Sequence, residues 1–175
     1  MQSRFLHVQG YTLVELMVAL AAGAFLLGGV SLAYSAIKGT ILVGKELERA
    51  QEVIRYTSKV FTRSIKQTPT SPIVSADGLT ITISQPAGVI TCNGTVTAVD
   101  VNEVYSLDSN NLTCTQGALA AERLLTGVES LSFSINNEVV TINVKPEQLP
   151  NQFGNAIRID IAASNVILEK SYSGV

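Results

Sequence analysis

Few residues of this chain are of types that carry out chemistry. The single histidine is His7, and the two cysteines, Cys92 and Cys114, lie far apart with no histidine near either. This pattern does not fit Cys/His zinc ligation and disfavours Ser-His-Asp catalysis. The Asp and Glu residues do not have EF-hand spacing. We therefore expect no cofactor, no metal site and no enzymatic activity.

Glu15 is the most unusual ionisable residue, because it directly precedes 22 uncharged residues, Leu16 to Ile37. As a helix this run would span roughly 33 Å, enough for one bilayer crossing. It is too long for the apolar part of a secretory signal peptide, and no comparable apolar surface exists elsewhere to bury it. We expect a membrane anchor. Glu15 could mark the start of the span or be a functional carboxylate within it.

The segment Gly10-Tyr11-Thr12-Leu13-Val14-Glu15-Leu16 resembles the processing motif of type IV prepilins. The resemblance implies a leader over residues 1–10, cleavage after Gly10 by a prepilin peptidase, and N-methylation of Tyr11. Phe is usual at this position, so Tyr11 departs from the pattern. Residues 11–37 would form the transmembrane and assembly helix.

The resemblance also gives Glu15 a role in assembly. Cleavage would expose an α-amine at the tip of an apolar helix. When helices pack side by side, Glu15 could pair with the N-terminal ammonium of a neighbour, and the low dielectric would strengthen that attraction. Such a pair selects register more than it adds stability.

Residues 38–67 continue the helical pattern as an amphipathic stem, which should end before Pro69. We expect Leu47, Ile54, Phe61 and Ile65 to form its buried stripe. The pair Gly28-Gly29 is the expected weak point of the helix if the glycines do more than permit close packing.

Four cations, Arg55, Lys59, Arg63 and Lys66, share a second face of the stem. Residues 38–66 carry a net charge of +4 and residues 67–175 a net charge of −6, from seven basic and three acidic side chains against four basic and ten acidic. The stripe could be a solvated face, a contact for acidic neighbouring heads, or a nucleic-acid contact. Aromatic residues do not interleave with the cations, which disfavours a single-strand platform.

Residues 68–175 form the predicted head, where alternation replaces helical periodicity. Strands are expected over residues 79–84, 96–101, 103–107, 128–135, 139–144, 156–163 and 166–171. Asn136-Asn137 favours a hairpin between two of them. We predict an α+β fold, a long N-terminal helix packed on an antiparallel sheet. An exported head would meet an oxidising periplasm, so Cys92 and Cys114 should form a disulfide rather than remain two buried thiols.

The segment ITCNGTVTAVDVNEVYSLDSNNLTC, followed by LLTGVESLSFSI, is similar to the PilW-like minor pilins, relatives of the type II secretion pseudopilin J. The resemblance implies a minor pilin anchored once in the inner membrane, with a periplasmic head, that joins a pilus filament or primes its assembly. Its partners would be major and minor pilins, the prepilin peptidase and the inner-membrane assembly machinery. A type II secretion pseudopilin and a tip adhesin or DNA-binding subunit are the alternatives.

Overall fold

The computed structural model describes residues 12–173, without the side chains at 151, 169, 170 and 173. The expected leader, Gly10 and Tyr11 lie outside these residues. The elements are α1 (Leu13–Gln67), β1 (Ile73–Val74), β2 (Ile81–Gln85), β3 (Val101–Asp108), β4 (Asn111–Gln116), β5 (Glu122–Thr126), β6 (Val128–Asn136), β7 (Val139–Pro146), β8 (Ile157–Ala162) and α2 (Ser164–Ser173), with a 3₁₀ turn at Asn151–Phe153.

The chain divides into two compact units after Gly44. The first unit contains the beginning of α1, and the second contains the rest of α1 and every strand. α1 is an uninterrupted helix, so Gly28 and Gly29 do not break it. The α+β fold with a long apolar N-terminal helix is confirmed.

The second unit contains two antiparallel sheets instead of the single sheet expected. One has the order β1-β2-β3-β4-β5, and the other has the order β6-β7-β8. Phe61 of α1 joins them, because its ring lies 4.9 Å from that of Tyr105 in β3 and 5.4 Å from that of Phe133 in β6, centroid to centroid. The core therefore lies between the helix and both sheets.

The buried face of α1 differs from the predicted stripe. Phe61 and Ile65 are fully buried as expected, but Leu47 and Ile54 are only half-buried. The buried residues of α1 are Ala50, Val53, Thr57, Val60, Phe61, Ser64 and Ile65. The prediction was wrong for Leu47 and Ile54 because it followed large aliphatic residues, whereas the buried face also contains Ala, Thr and Ser.

The expected strand over residues 166–171 is wrong, because α2 occupies this segment. Ala163 and Val166 are both buried. This three-residue spacing fits one face of a helix and not the alternation of a strand.

Residues 96–101 also do not form the expected strand, since only Val96 forms a bridge, with Ile90, before β3 begins at Val101. Local bonds hold this segment, including one from the Ala87 N–H to the Asp100 carboxylate. Strands β4 and β5 were not predicted, and their pairing contains a bulge between Leu112 and Thr113.

The β6–β7 hairpin was predicted correctly, but its turn lies one residue further along the chain than the predicted Asn136-Asn137. The central residues are Asn137 and Glu138, both with positive φ, as a type I′ turn requires. The turn between β3 and β4 has the same form, with Ser109 and Asn110 at positive φ.

Candidate functional site

The first candidate site is the beginning of α1. Thr12 lies just before the helix, and its Oγ1 accepts a hydrogen bond of 3.3 Å from the Glu15 N–H. A Thr followed three residues later by Glu is a common helix-start pattern. The sequence thus places Glu15 in the first turn of a helix, where a carboxylate is favourable.

The Glu15 carboxylate lies among exposed apolar side chains. Leu13 is 76% exposed and Leu16 is 57% exposed. Within residues 12–173, the Glu15 side chain forms no hydrogen bond or ion pair. Any partner for this charge would come from outside the described residues.

The apolar surface of α1 continues well beyond Glu15. From Thr12 to Gly44 every described residue is exposed except Gly23, which is half-buried. By length and composition α1 could cross a membrane, and none of its apolar window is buried in the protein. A surface of this kind requires lipid or other apolar helices around it.

Residues 6–31 match the model of the prokaryotic N-terminal methylation motif. This match indicates a type IV prepilin-like protein. The matched segment includes Gly10, Tyr11 and Glu15, and such motifs occur in pilins and in pseudopilins. A search of curated proteins found no match.

The prepilin-like motif points to a structural, non-enzymatic family. Together with the exposed apolar helix it indicates membrane anchoring and assembly with other pilin-like subunits. Among the described residues, no three His, Cys, Asp or Glu side chains are grouped so that they could hold a metal ion.

The structure joins Cys92 and Cys114 in a disulfide, with an S–S distance of 1.98 Å and a Cα–Cα distance of 6.5 Å. It attaches the loop between β2 and β3 to β4, and both cysteines are buried. In the chain-entropy model a loop of this length contributes about 3 kcal/mol of stability.

A buried polar network lies beneath the disulfide, and the sequence analysis did not find it. Glu103 is 0% exposed, and its Oε2 accepts hydrogen bonds from Gln85 Nε2 at 3.1 Å and from the Tyr105 hydroxyl at 2.8 Å. Its Oε1 accepts one from the Cys92 N–H. Ser64 shares a hydrogen bond of 2.7 Å with the Tyr105 hydroxyl.

This network connects α1, β2, β3 and the disulfide loop. Three donors satisfy the Glu103 carboxylate, which is what a buried charge requires. Burial raises the pKa of Tyr105 well above the usual range of a phenol, and the Glu103 charge raises it further. Tyr105 therefore remains a neutral donor. The only sign of this network in the sequence is that Glu103 occupies a position of β3 where the alternation predicts an apolar residue.

The four cations of the stem do not act alike in the structure. Arg55, Lys59 and Lys66 are exposed, whereas Arg63 is half-buried and its Nη2 donates to the Thr91 carbonyl at 3.1 Å. Together the four line a shallow groove along the helix. Arg63 therefore helps to hold the disulfide loop, and three cations remain available.

Proposed function

We propose that this chain is a minor type IV pilin that is cleaved after Gly10, methylated at Tyr11 and inserted into a pilus filament, or primes its assembly, through its N-terminal helix. The observation that carries the proposal is the methylation-motif match over residues 6–31, which continues into an apolar helix with no partner surface in the described chain. Before assembly the chain would be anchored once in the inner membrane with its head in the periplasm.

The exposed apolar surface explains how one helix can serve in two environments. Burial of apolar area contributes about 25 cal/mol per Å², and neither lipid nor neighbouring apolar helices leave the surface in water. Transfer from the bilayer into a helix bundle therefore costs little hydrophobic free energy. Packing contacts and polar pairs then decide which arrangement forms.

Glu15 would be the polar residue that decides the arrangement. A lone carboxylate inside a membrane helix costs about 2.5 to 3.5 kcal/mol on insertion scales. An ammonium on the new N-terminus of a neighbouring subunit would offset this cost. Because that amine exists only after cleavage at Gly10, processing would control assembly.

The minor role is supported by the resemblance of the head to PilW-like proteins, over residues 90–114 and 124–135. In that group, low-abundance subunits prime the filament instead of forming its bulk. The disulfide Cys92–Cys114 lies within this region and is formed in the structure.

Processing can be tested by intact mass and N-terminal sequencing of the protein from membranes of cells with and without a prepilin peptidase. We expect a chain that begins at methylated Tyr11 only where the peptidase is present. Replacement of Gly10 by Val should leave the leader attached. An uncut chain beginning at Met1 in both strains would refute the proposal.

The same cells test assembly. Glu15→Val should remain in the membrane fraction and be processed, but be absent from sheared filaments, because the pair with the ammonium is lost. Glu15→Asp keeps the charge and is the matched control, expected to be recovered in part. Incorporation of Glu15→Val at the unsubstituted level would show that Glu15 has no such role.

A further inference from the structure

Strand β8 forms one edge of the three-stranded sheet. The sheet has the order β6-β7-β8, and β8 pairs with β7 on one side without a bulge, from Ile157 opposite Val144 to Ala162 opposite Val139. Within the described part of the chain no strand pairs with its other side. Such an edge presents backbone N–H and C=O groups to any strand that approaches.

The hydrogen-bond pattern shows which residues of β8 face this open side. The Ala163 N–H donates to the Glu138 carbonyl at 2.9 Å, which continues the β7–β8 register by one residue. Bonded and non-bonded pairs alternate along an antiparallel ladder, so the odd-numbered residues of β8 bond to β7. The backbone groups of Arg158 and Asp160 therefore point away from β7. Among residues 12–173 these groups have no hydrogen-bond partner.

The two residues that face the open side carry opposite charges. Arg158 and Asp160 are two positions apart and lie on the same face of the sheet. Their side chains are 67% and 45% exposed, and Arg158 Nε lies 2.9 Å from Asp160 Oδ1. Charged side chains on an edge usually prevent pairing with another chain. Here one cation and one anion occupy the two outward positions, so the edge is complementary to itself.

Charge selects one register for an antiparallel second copy of β8. If Arg158 lies opposite Asp160 of the second copy, two pairs of opposite charge form and the strands exchange four backbone hydrogen bonds. A shift of two residues in either direction places Arg158 opposite Arg158 or Asp160 opposite Asp160. Like charges directly opposite each other destabilise a sheet. The favoured register is therefore centred on Ile159.

The same register brings the apolar side chains of the two strands together. Ile161 is buried, whereas Ile157 and Ile159 are only half-buried beside the core. In the second copy Ile159 would lie opposite Ile159, and Ile157 opposite Ile161. Strand addition thus covers apolar surface that one copy leaves exposed, and this burial supplies affinity that exposed ion pairs alone do not.

We propose that β8 pairs with β8 of a second copy of this chain, antiparallel and centred on Ile159, so that two heads share one six-stranded sheet. The self-complementary charges at the edge identify the partner as another copy. The contact is isologous and is complete with two copies. It uses residues of the head alone and does not rest on the proposed function.

Disulfide trapping in membranes tests the register with the full chain. In the proposed pair the two Ile159 Cα atoms would lie about 4.5 Å apart, within the range of a disulfide. Membranes containing Ile159→Cys would be oxidised and the chains separated without reductant. The matched control is Ala162→Cys, exposed on the same strand, whose two copies would be about 20 Å apart. We expect about tenfold more linked dimer from Ile159→Cys, and equal yields would overturn the register.

Charge exchange between two chains tests the cause. Arg158→Asp leaves two acids at the edge, and Asp160→Arg leaves two bases. In the Ile159→Cys background each variant alone should give about tenfold less dimer, because like charges face each other. Produced together with different tags, the two should form a mixed dimer at about the yield of Ile159→Cys, since every facing pair is again opposite in charge. Both variants lose the ion pair within the chain, so recovery on mixing cannot come from repair of the fold.

A mixed yield as low as that of either variant alone would refute pairing through β8, and so would full yields from the separate variants. A link from Ile159→Cys to a different protein, in place of the dimer, would show that another partner occupies this edge and would also overturn the proposal. The yields should be the same in cells with and without prepilin peptidase. Failure of processing would therefore refute the pilin role without affecting this contact.

Discussion

Glu103 shows how a single buried residue connects separate parts of the head. Its two oxygens accept hydrogen bonds from β2, from β3 and from the loop that carries Cys92. No apolar side chain could satisfy these three donors at once. The Glu103 carboxylate therefore connects β2, β3 and the Cys92 loop within the core.

We predict that Glu103→Met, which has similar length but no strong acceptor, lowers the free energy of unfolding by about 2–4 kcal/mol, because the Cys92 N–H and the Tyr105 hydroxyl lose their acceptor in a buried site. Circular dichroism during denaturation of the full chain in detergent would measure it. The control is Glu122→Met in β5, which is exposed and should change stability by less than about 0.5 kcal/mol. Equal effects of the two substitutions would show that the network does not stabilise the head.

At the level of elements, the turn between β1 and β2 is one of the places where the two sheets meet. The Gly78 carbonyl accepts a hydrogen bond of 2.8 Å from the Phe133 N–H of β6. Gly78 has φ of +70°, and a Cβ added there would lie 3.0 Å from the Phe133 carbonyl oxygen. The turn thus requires glycine for its conformation and for its contact.

Gly78→Ala should destabilise the head by about 2–3 kcal/mol, the sum of left-handed strain and displacement of β6. Gly88→Ala is the matched control, because Gly88 also has a positive φ, of +83°, but an added Cβ would meet nothing within 4 Å. It should cost about 1 kcal/mol, the strain alone. Thermal unfolding of both variants gives the difference, and a Gly78→Ala variant as stable as Gly88→Ala would show that the sheets do not depend on this approach.

At the scale of the whole molecule, the two units differ in whether their apolar side chains are exposed or buried. Before Gly44 the apolar side chains of α1 are exposed, whereas from Ala50 onward the helix buries one face against the sheets. The first unit therefore needs an external apolar environment, and the second has a core of its own.

A chain starting at Lys45 should accordingly be soluble without detergent and unfold in one cooperative transition. Its denaturation midpoint should match that of the head in the full chain, because the buried core residues in the described part of the chain all lie after Gly44. Fractionation and circular dichroism would check both points, with the full chain, expected in the membrane fraction, as the reference. Aggregation of the shorter chain would mean that the first unit contributes to the fold of the second.

The features that the sequence predicted correctly depend on neighbours along the chain. The apolar run after Glu15, the helix end before Pro69 and the alternation that became β2, β6, β7 and β8 all express local periodicity or backbone restriction. The N-terminal prepilin-like motif is equally local, and the model of the prokaryotic N-terminal methylation motif matches this segment, over residues 6–31. These features could be predicted because each is contained in one short stretch.

Only the tertiary structure decided which surfaces meet. The buried face of α1 includes Ala50, Thr57 and Ser64, and buried Glu103 accepts hydrogen bonds from two distant segments, β2 and the Cys92 loop, as well as from its own strand. The division into two sheets depends on pairing between distant residues. The pattern of apolar and polar residues along a short segment indicates which secondary structure that segment prefers. The burial of polar groups and the choice of partner strand depend instead on contacts between residues far apart in the chain.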